Sequence, residues 1–146
     1  MTQNPALAYR HDAVRSATPL GLVVLLYDAA LKSLNTAIRA MEAHDIEQRV
    51  RSLNHVLSIL AHFQQTLDVG QGGEVAKNLD RFYTAGRTMI MKATFSQSTE
   101  PLEELAGELQ DLRGAWKEAD RQEAGEPEPL PFSDSDMSAS GIHWSA

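Results

Sequence analysis

The chain contains no cysteine, so disulfide bonds, thiolate metal ligands and a cysteine nucleophile are excluded. It also lacks the Gly-x-Ser-x-Gly motif of many serine hydrolases and the Glu-x-x-His pairs of di-iron helical bundles. His55 and His62 have no second metal-binding side chain three or four residues away, the offsets that share a helix face. The sequence therefore predicts a protein that is not an enzyme and that holds no metal or cofactor.

Long apolar runs are lacking as well. The longest uninterrupted run, residues 22–27, is far shorter than the roughly 18 residues that cross a bilayer, and Asp28 follows it. The first residues show neither the charged region nor the apolar region of a secretory signal. We therefore expect a cytoplasmic protein without membrane insertion.

Positive charge is absent from the C-terminal part of the chain. The net charge is −7, and five of the 20 acidic residues lie from Glu123 onward, where no Lys or Arg occurs. The residues before Glu123 carry the other 15 acids against 13 bases, so no basic surface for nucleic acid is predicted. The composition of residues 123–146, rich in Pro, Ser and acids, predicts a disordered acidic tail.

The remaining sequence is organised as four amphipathic stretches of roughly 20 to 25 residues with no competing strand pattern. Thr18 before Pro19 is a helix start signal, and Asp45 is predicted to cap the second helix. Short connections join the stretches. The sequence therefore predicts an all-α fold, an antiparallel up-down-up-down four-helix bundle over residues 18–122 with a short N-terminal arm over residues 1–17.

The first two helices carry more apolar residues than one core face requires. The predicted core stripe of the first helix is Leu20, Val23, Tyr27, Ala30, Leu31, Leu34, Ile38 and Met41. The predicted stripe of the second is Ile46, Val50, Leu53, Leu57, Leu60 and Leu67. Outside these stripes lie Leu22, Leu25, Leu26 and Ala29 on the first helix, and Val56, Ile59 and Phe63 on the second. A helix that is apolar nearly all round is either buried or covered by another molecule. We therefore predict a partner-binding groove formed by Leu22, Leu25, Leu26, Ile59 and Phe63.

Other interpretations of these features stay open. The surplus apolar residues would equally be buried against the N-terminal arm or a second copy, which would make the protein a dimeric helical scaffold. A histidine phosphotransfer protein is also a four-helix bundle, and His62 would be its phosphorylated residue, although no Lys or Gly closely follows it. In the fourth helix, Gly107 and Gly114 are either tolerated surface glycines or a track along which another backbone approaches.

Several segments resemble the flagellin-export chaperone family, FliS. They are residues 8–10 (Ala-Tyr-Arg), 17–19 (Ala-Thr-Pro), 25–31 (Leu-Leu-Tyr-Asp-Ala-Ala-Leu) and, most specifically, 72–79 (Gly-Gly-Glu-Val-Ala-Lys-Asn-Leu). The resemblance covers residues 6–122.

This resemblance implies a four-helix bundle that binds the disordered C-terminal segment of flagellin. Such a chaperone prevents premature polymerisation in the cytoplasm and assists delivery to the flagellar type III export apparatus. It also implies that the N-terminal arm packs near the binding surface, with Tyr9 as a movable cover of the groove.

Overall fold

The computed structural model describes residues 17–125. The predicted N-terminal arm with Tyr9 and nearly all of the predicted tail lie outside these residues. Four helices make up the described part: α1 (Pro19–Glu42), α2 (Ile46–Thr66), α3 (Val69–Ser96) and α4 (Glu100–Glu123). Residues 17–125 contain no strand. The predicted all-α four-helix bundle is confirmed.

Side-chain contacts show that neighbouring helices run antiparallel. Ser33 on α1 bonds to His55 on α2, with 2.6 Å between Oγ and Nδ1. Tyr27 lies about two turns before Ser33 on α1, and its ring is 5.0 Å from that of Phe63, which lies about two turns after His55 on α2. Along α2 and α3, the Gln64 side-chain amide donates to the Asp80 carboxylate at 3.1 Å. Each helix packs on two others, so the four surround one core.

The helix ends follow the predicted capping signals. The Thr18 hydroxyl accepts a hydrogen bond from the backbone N–H of Gly21 at 3.0 Å, and Asp45 accepts one from Gln48 at 3.1 Å. Asp68 caps α3 in the same way. The sequence predicts a turn at residues 70–73 (Gly-Gln-Gly-Gly) and a third helix from about Glu74, but α3 already begins at Val69 and includes these residues. The helix is interrupted at Gly73, whose φ of 62° and ψ of −144° fall in a region that only glycine adopts readily.

The core of α1 is rotated slightly from the prediction, and that of α2 more strongly. The buried residues of α1 are Leu20, Val24, Tyr27, Ala30, Leu34, Ala37 and Ala40. The predicted Val23, Leu31, Ile38 and Met41 are only partly buried. On α2, the buried apolar residues are Leu53, Val56, Ile59, Leu60 and Phe63. The prediction that Ile46 and Val50 belong to the core was wrong, because 64% and 46% of their surfaces are exposed.

For the last two helices, the apolar repeat predicts core faces formed by Val75, Leu79, Phe82, Gly86, Met89, Ile90 and Ala93 on α3, and by Leu102, Leu105, Leu109, Leu112, Trp116 and Ala119 on α4. All of these residues are buried except Phe82, Met89 and Leu112, which are partly buried.

Candidate functional site

A groove with a volume of about 630 Å³ runs between the first half of α1 and the last turns of α2. Its walls are almost entirely apolar. On α1 it is lined by Pro19, Leu20, Leu22, Val23, Leu25, Leu26 and Ala29. On the other helices and the turn after α2 it is lined by His62, Phe63, Thr66, Leu67, Tyr83 and Trp116. The surplus apolar face of α1 is therefore the main wall of this groove.

Aromatic side chains form the floor of the groove and belong to the core at the same time. Phe63 stacks on Tyr83 with ring centroids 5.5 Å apart and planes at 13°, and it also meets Tyr27 at 5.0 Å. Trp116 lies on the same floor with 5% of its surface exposed. Aromatic pairs in such arrangements add stabilisation beyond the area they bury. The floor is therefore a rigid part of the bundle.

One hydrogen bond lies beneath this floor. The hydroxyls of Tyr27 and Tyr83 are 2.7 Å apart, and both side chains are essentially inaccessible to solvent. Burial raises the pKa of both phenols, and at Tyr83 the neighbouring Tyr27 raises it further. Both hydroxyls therefore stay protonated at neutral pH, and one donates to the other, so each phenol oxygen has a hydrogen-bonding partner within the protein.

Polar contacts hold α1 against α4 on the side away from α2. Arg113 donates through Nε to the Asp28 carboxylate at 2.5 Å, and the Thr18 hydroxyl donates to Asp120 at the end of the same seam. The Asp28 pair is partly exposed, so its contribution to stability is at most about 1 kcal/mol. The pair joins α1 to α4 beside the core contacts of both helices.

The structure places four of the six predicted site residues in the groove. Leu22, Leu25, Leu26 and Phe63 all line it. The prediction for Ile59 was wrong. It has 6% of its surface exposed, belongs to the core and is not among the lining residues. Tyr9 lies outside the described residues.

Sequence reasoning missed other parts of the lining. Tyr83 was not assigned to any face, although it is both buried and part of the floor. His62, which the sequence offers as a phosphorylation site but not as a groove residue, lies exposed at the groove beside Phe63, with ring centroids 6.0 Å apart. The available signal for Tyr83 was its helical spacing from Leu79 and Ile90, which are both core residues.

By length and composition alone, α1 is apolar enough to span a membrane, with a mean hydropathy of 1.3 over its most apolar 18-residue window. The uninterrupted apolar run does not reveal this, because it ends at Asp28. Core helices of bundles pass the same test. Here α1 carries buried side chains along its whole length and pairs Asp28 with Arg113, so we assign it to the bundle.

Four exposed apolar side chains lie apart from the groove. They are Ile46 and Val50 at the start of α2 and Met91 and Phe95 at the end of α3, with 64%, 46%, 56% and 83% of their surfaces exposed. Because α2 and α3 are antiparallel, these two ends meet at the same end of the bundle. The groove lies towards the other end, where α2 finishes and α1 begins.

Comparison with known proteins identifies the family. Residues 1–123 match the family model described as flagellar protein FliS. The chain belongs to the FliS family. It is 31% identical over 121 residues to the flagellar secretion chaperone FliS of Bacillus subtilis, covering 83% of this chain and 90% of the relative.

Two further relatives carry the same description. The flagellar secretion chaperone FliSB of Pseudomonas aeruginosa is 31% identical over 70% of this chain and 82% of its own length. The FliS of Salmonella typhimurium is 30% identical over 73% of this chain and 80% of its own length. These similarities confirm the family resemblance and support a role for this FliS chain in flagellar export. The family match ends at residue 123, where α4 ends.

Proposed function

We propose that this FliS chain is a cytoplasmic chaperone that binds the C-terminal segment of flagellin in the groove between α1 and α2. Binding there would keep flagellin from polymerising until it reaches the flagellar type III export apparatus. The observation that carries the proposal is the apolar groove itself, in a chain whose relatives are flagellar secretion chaperones.

The dimensions of the groove suit an amphipathic helix. The lining of α1 extends from Pro19 to Ala29, which corresponds to about 15 Å along the helix axis at 1.5 Å per residue. A client helix of about three turns would match this length. Its apolar side chains at helical spacing would lie against Leu22, Leu26 and Phe63, as in other helix-in-groove complexes. The polar face of the client would remain in solvent.

The energetics allow binding without ATP. If the client covers about 1,000 Å² of apolar surface, the gross gain is about 25 kcal/mol at 25 cal/mol per Å². Loss of rigid-body freedom and ordering of the client consume most of this gain. A remainder of about 8 to 12 kcal/mol corresponds to micromolar to nanomolar affinity. Release would then follow from competition at the export apparatus, with no change of chemical state in the chaperone.

Calorimetric titration of the full chain with the C-terminal segments of the host's flagellins tests the proposal. We expect one segment to bind with micromolar or tighter affinity and with a negative heat-capacity change, because apolar surface is buried. N-terminal segments of the same flagellins serve as controls. A flat trace with every C-terminal segment would refute the proposal.

A second measurement addresses the consequence of binding. The purified chain, added in equal molar amount, should suppress filament growth from flagellin monomers in a light-scattering assay. The Leu22→Asp variant described in the Discussion should not suppress it. If both proteins act alike, the groove is not the site of action.

A further inference from the structure

The groove and the C-terminal end of the described chain lie at the same end of the bundle. Asp120, in the last turn of α4, accepts a hydrogen bond from Thr18, and the groove lining begins one residue later at Pro19. Trp116, one turn earlier on α4, contributes to the groove floor. Any residues that follow α4 therefore start beside the groove.

The end of α4 turns the chain away from the helix axis. Gly125 has a φ of 89°, and its N–H bonds to the carbonyl of Gln122 at 3.0 Å. A glycine in this left-handed conformation is a common helix terminator that redirects the chain. The α4 helix therefore ends at this point, and the backbone leaves the helix axis at Gly125.

One short segment after Gly125 matches the groove in chemistry. Residues 129–132 have the sequence Pro-Leu-Pro-Phe, with Glu126 and Glu128 before them and Asp134 and Asp136 after them. Leu130 and Phe132 are suited to apolar walls, whereas the acids on either side would stay in solvent because burying an unpaired carboxylate is costly. These four residues are the apolar stretch nearest to Gly125 in the sequence. The two prolines restrict the backbone and reduce the entropy lost on binding.

The length of the connection also fits. Leu130 and Phe132 follow Gly125 by five and seven residues, which gives a maximal reach of about 16 to 25 Å. The lining of α1 spans about 15 Å from its start near the end of α4. The exposed residue Phe95, at the far end of α3, lies beyond this reach, since α3 rises by about 32 Å between Glu74 and Phe95.

We propose that residues 129–132 of the same chain occupy the groove between α1 and α2 in competition with the client. The effect of this contact on client binding rests on the proposed function, whereas the contact itself can be tested without a client. Short tethers give effective concentrations in the millimolar range. We take the dissociation constant of the segment for the groove to be about a third of this effective concentration. The client then competes with a segment that occupies most grooves, and its apparent affinity is roughly fourfold lower. The segment lies outside the residues that match the family model.

Disulfide trapping in the full chain tests the contact directly. The protein contains no cysteine, so a Ser133→Cys, Thr66→Cys double variant has a single possible intramolecular pair. Thr66 is an exposed residue of the groove lining, and its replacement leaves the apolar walls intact. We expect an intramolecular disulfide at least tenfold faster than in the Ser133→Cys, Gln65→Cys control, because Gln65 is exposed on the same turn of α2 but does not line the groove. Equal rates would overturn the proposal, as would a disulfide between two chains, which would assign the groove to a second copy.

Client titrations measure the consequence. The Leu130→Ser, Phe132→Ser variant should bind the flagellin segment about fourfold more tightly than the unmodified chain. The Ile142→Ser, Trp144→Ser variant removes apolar residues further along and should bind like the unmodified chain. Equal affinity in all three proteins would overturn competition and leave the groove to another cover, such as the N-terminal residues. If no flagellin segment binds any of them, the proposed function fails, while the disulfide experiment still decides the contact.

Discussion

Replacing Leu22 by Asp separates binding from folding at the wall of the groove. Leu22 lines the groove and has 39% of its surface exposed, the most of any large apolar residue in the lining. It lies in the first turns of α1, where a negative charge interacts favourably with the helix N-terminus. A new carboxylate is therefore tolerated by the free protein but not by an apolar client placed over it.

The magnitude follows from the exposed fraction. Full burial of a leucine side chain contributes about 1.5 to 3 kcal/mol, so covering the exposed 39% of Leu22 contributes about 0.6 to 1.2 kcal/mol to binding. An Ala at this position should weaken binding about 3- to 7-fold. Asp adds about 2 kcal/mol for a carboxylate desolvated without a partner, which brings the loss to about 100-fold. The buried part of Leu22, offset by the helix terminus, accounts for a loss of stability of only about 1 kcal/mol.

Calorimetric titration with the flagellin segment and thermal unfolding of the free proteins provide the two readouts. Ile46→Asp is the matched control, because Ile46 is also apolar, exposed and in the first turn of a helix, yet lies outside the groove. The control should bind normally. Equal binding by the Leu22 variant and the unmodified chain would refute the assignment of the groove. Loss of cooperative unfolding in the Leu22 variant would show that Leu22 is needed by the core.

Three further predictions concern stability. Because burial raises the pKa of Tyr27 and Tyr83, only the unfolded chain loses these protons as the pH rises above about 10. Below pH 10 the full contribution of these two groups to the free energy of unfolding is present. Above pH 10 the free energy of unfolding, measured in urea titrations, should fall by about 2.7 kcal/mol per pH unit. The Tyr27→Phe, Tyr83→Phe variant has no phenol protons to lose at these positions, so the same dependence of its unfolding free energy on pH would contradict this explanation. Gly73→Ala should cost about 1 to 3 kcal/mol because of the positive φ of Gly73, and an unchanged melting temperature would exclude that strain. Gly107→Ala and Gly114→Ala should each stabilise the protein by about 0.5 to 1 kcal/mol, since a Cβ there meets no atom within 4 Å. If these two variants weaken partner binding, Gly107 and Gly114 form a track along which another backbone approaches closely.

The four helices were predictable because each combines a start signal with an apolar repeat. Thr18 and Asp45 cap their helices as their residue types indicate. The sequence did not predict which face of α2 is buried, since its apolar residues occupy three adjacent faces of the helix. Helical spacing shows which residues share a face, but packing decides which face is buried. In this bundle Phe63 packs against Tyr27 in the core, and Val50 lies on the exposed side of α2.

The groove was only partly predictable for a related reason. The surplus on α1 pointed to Leu22 and Leu26 because no single core face accommodates so many apolar residues. The floor depends on residues brought together from α2, α3 and α4, and that meeting has no signature in the sequence of any one helix. Tyr83 illustrates this limit, since its neighbour Phe82 fits the periodic pattern about as well but is only partly buried.

The division between wall and floor determines how this protein can be altered without being unfolded. Phe63 lines the groove yet has 8% of its surface exposed, so its side chain already contributes to the stability of the free protein. Truncating such an aromatic residue costs about 3 to 5 kcal/mol, a large share of the stability of a domain of this size. Changes in client affinity at the floor are therefore inseparable from changes in folding. Leu22 and His62, on the exposed walls, carry no such cost, and differences in client preference between relatives are expected to arise from positions of this kind.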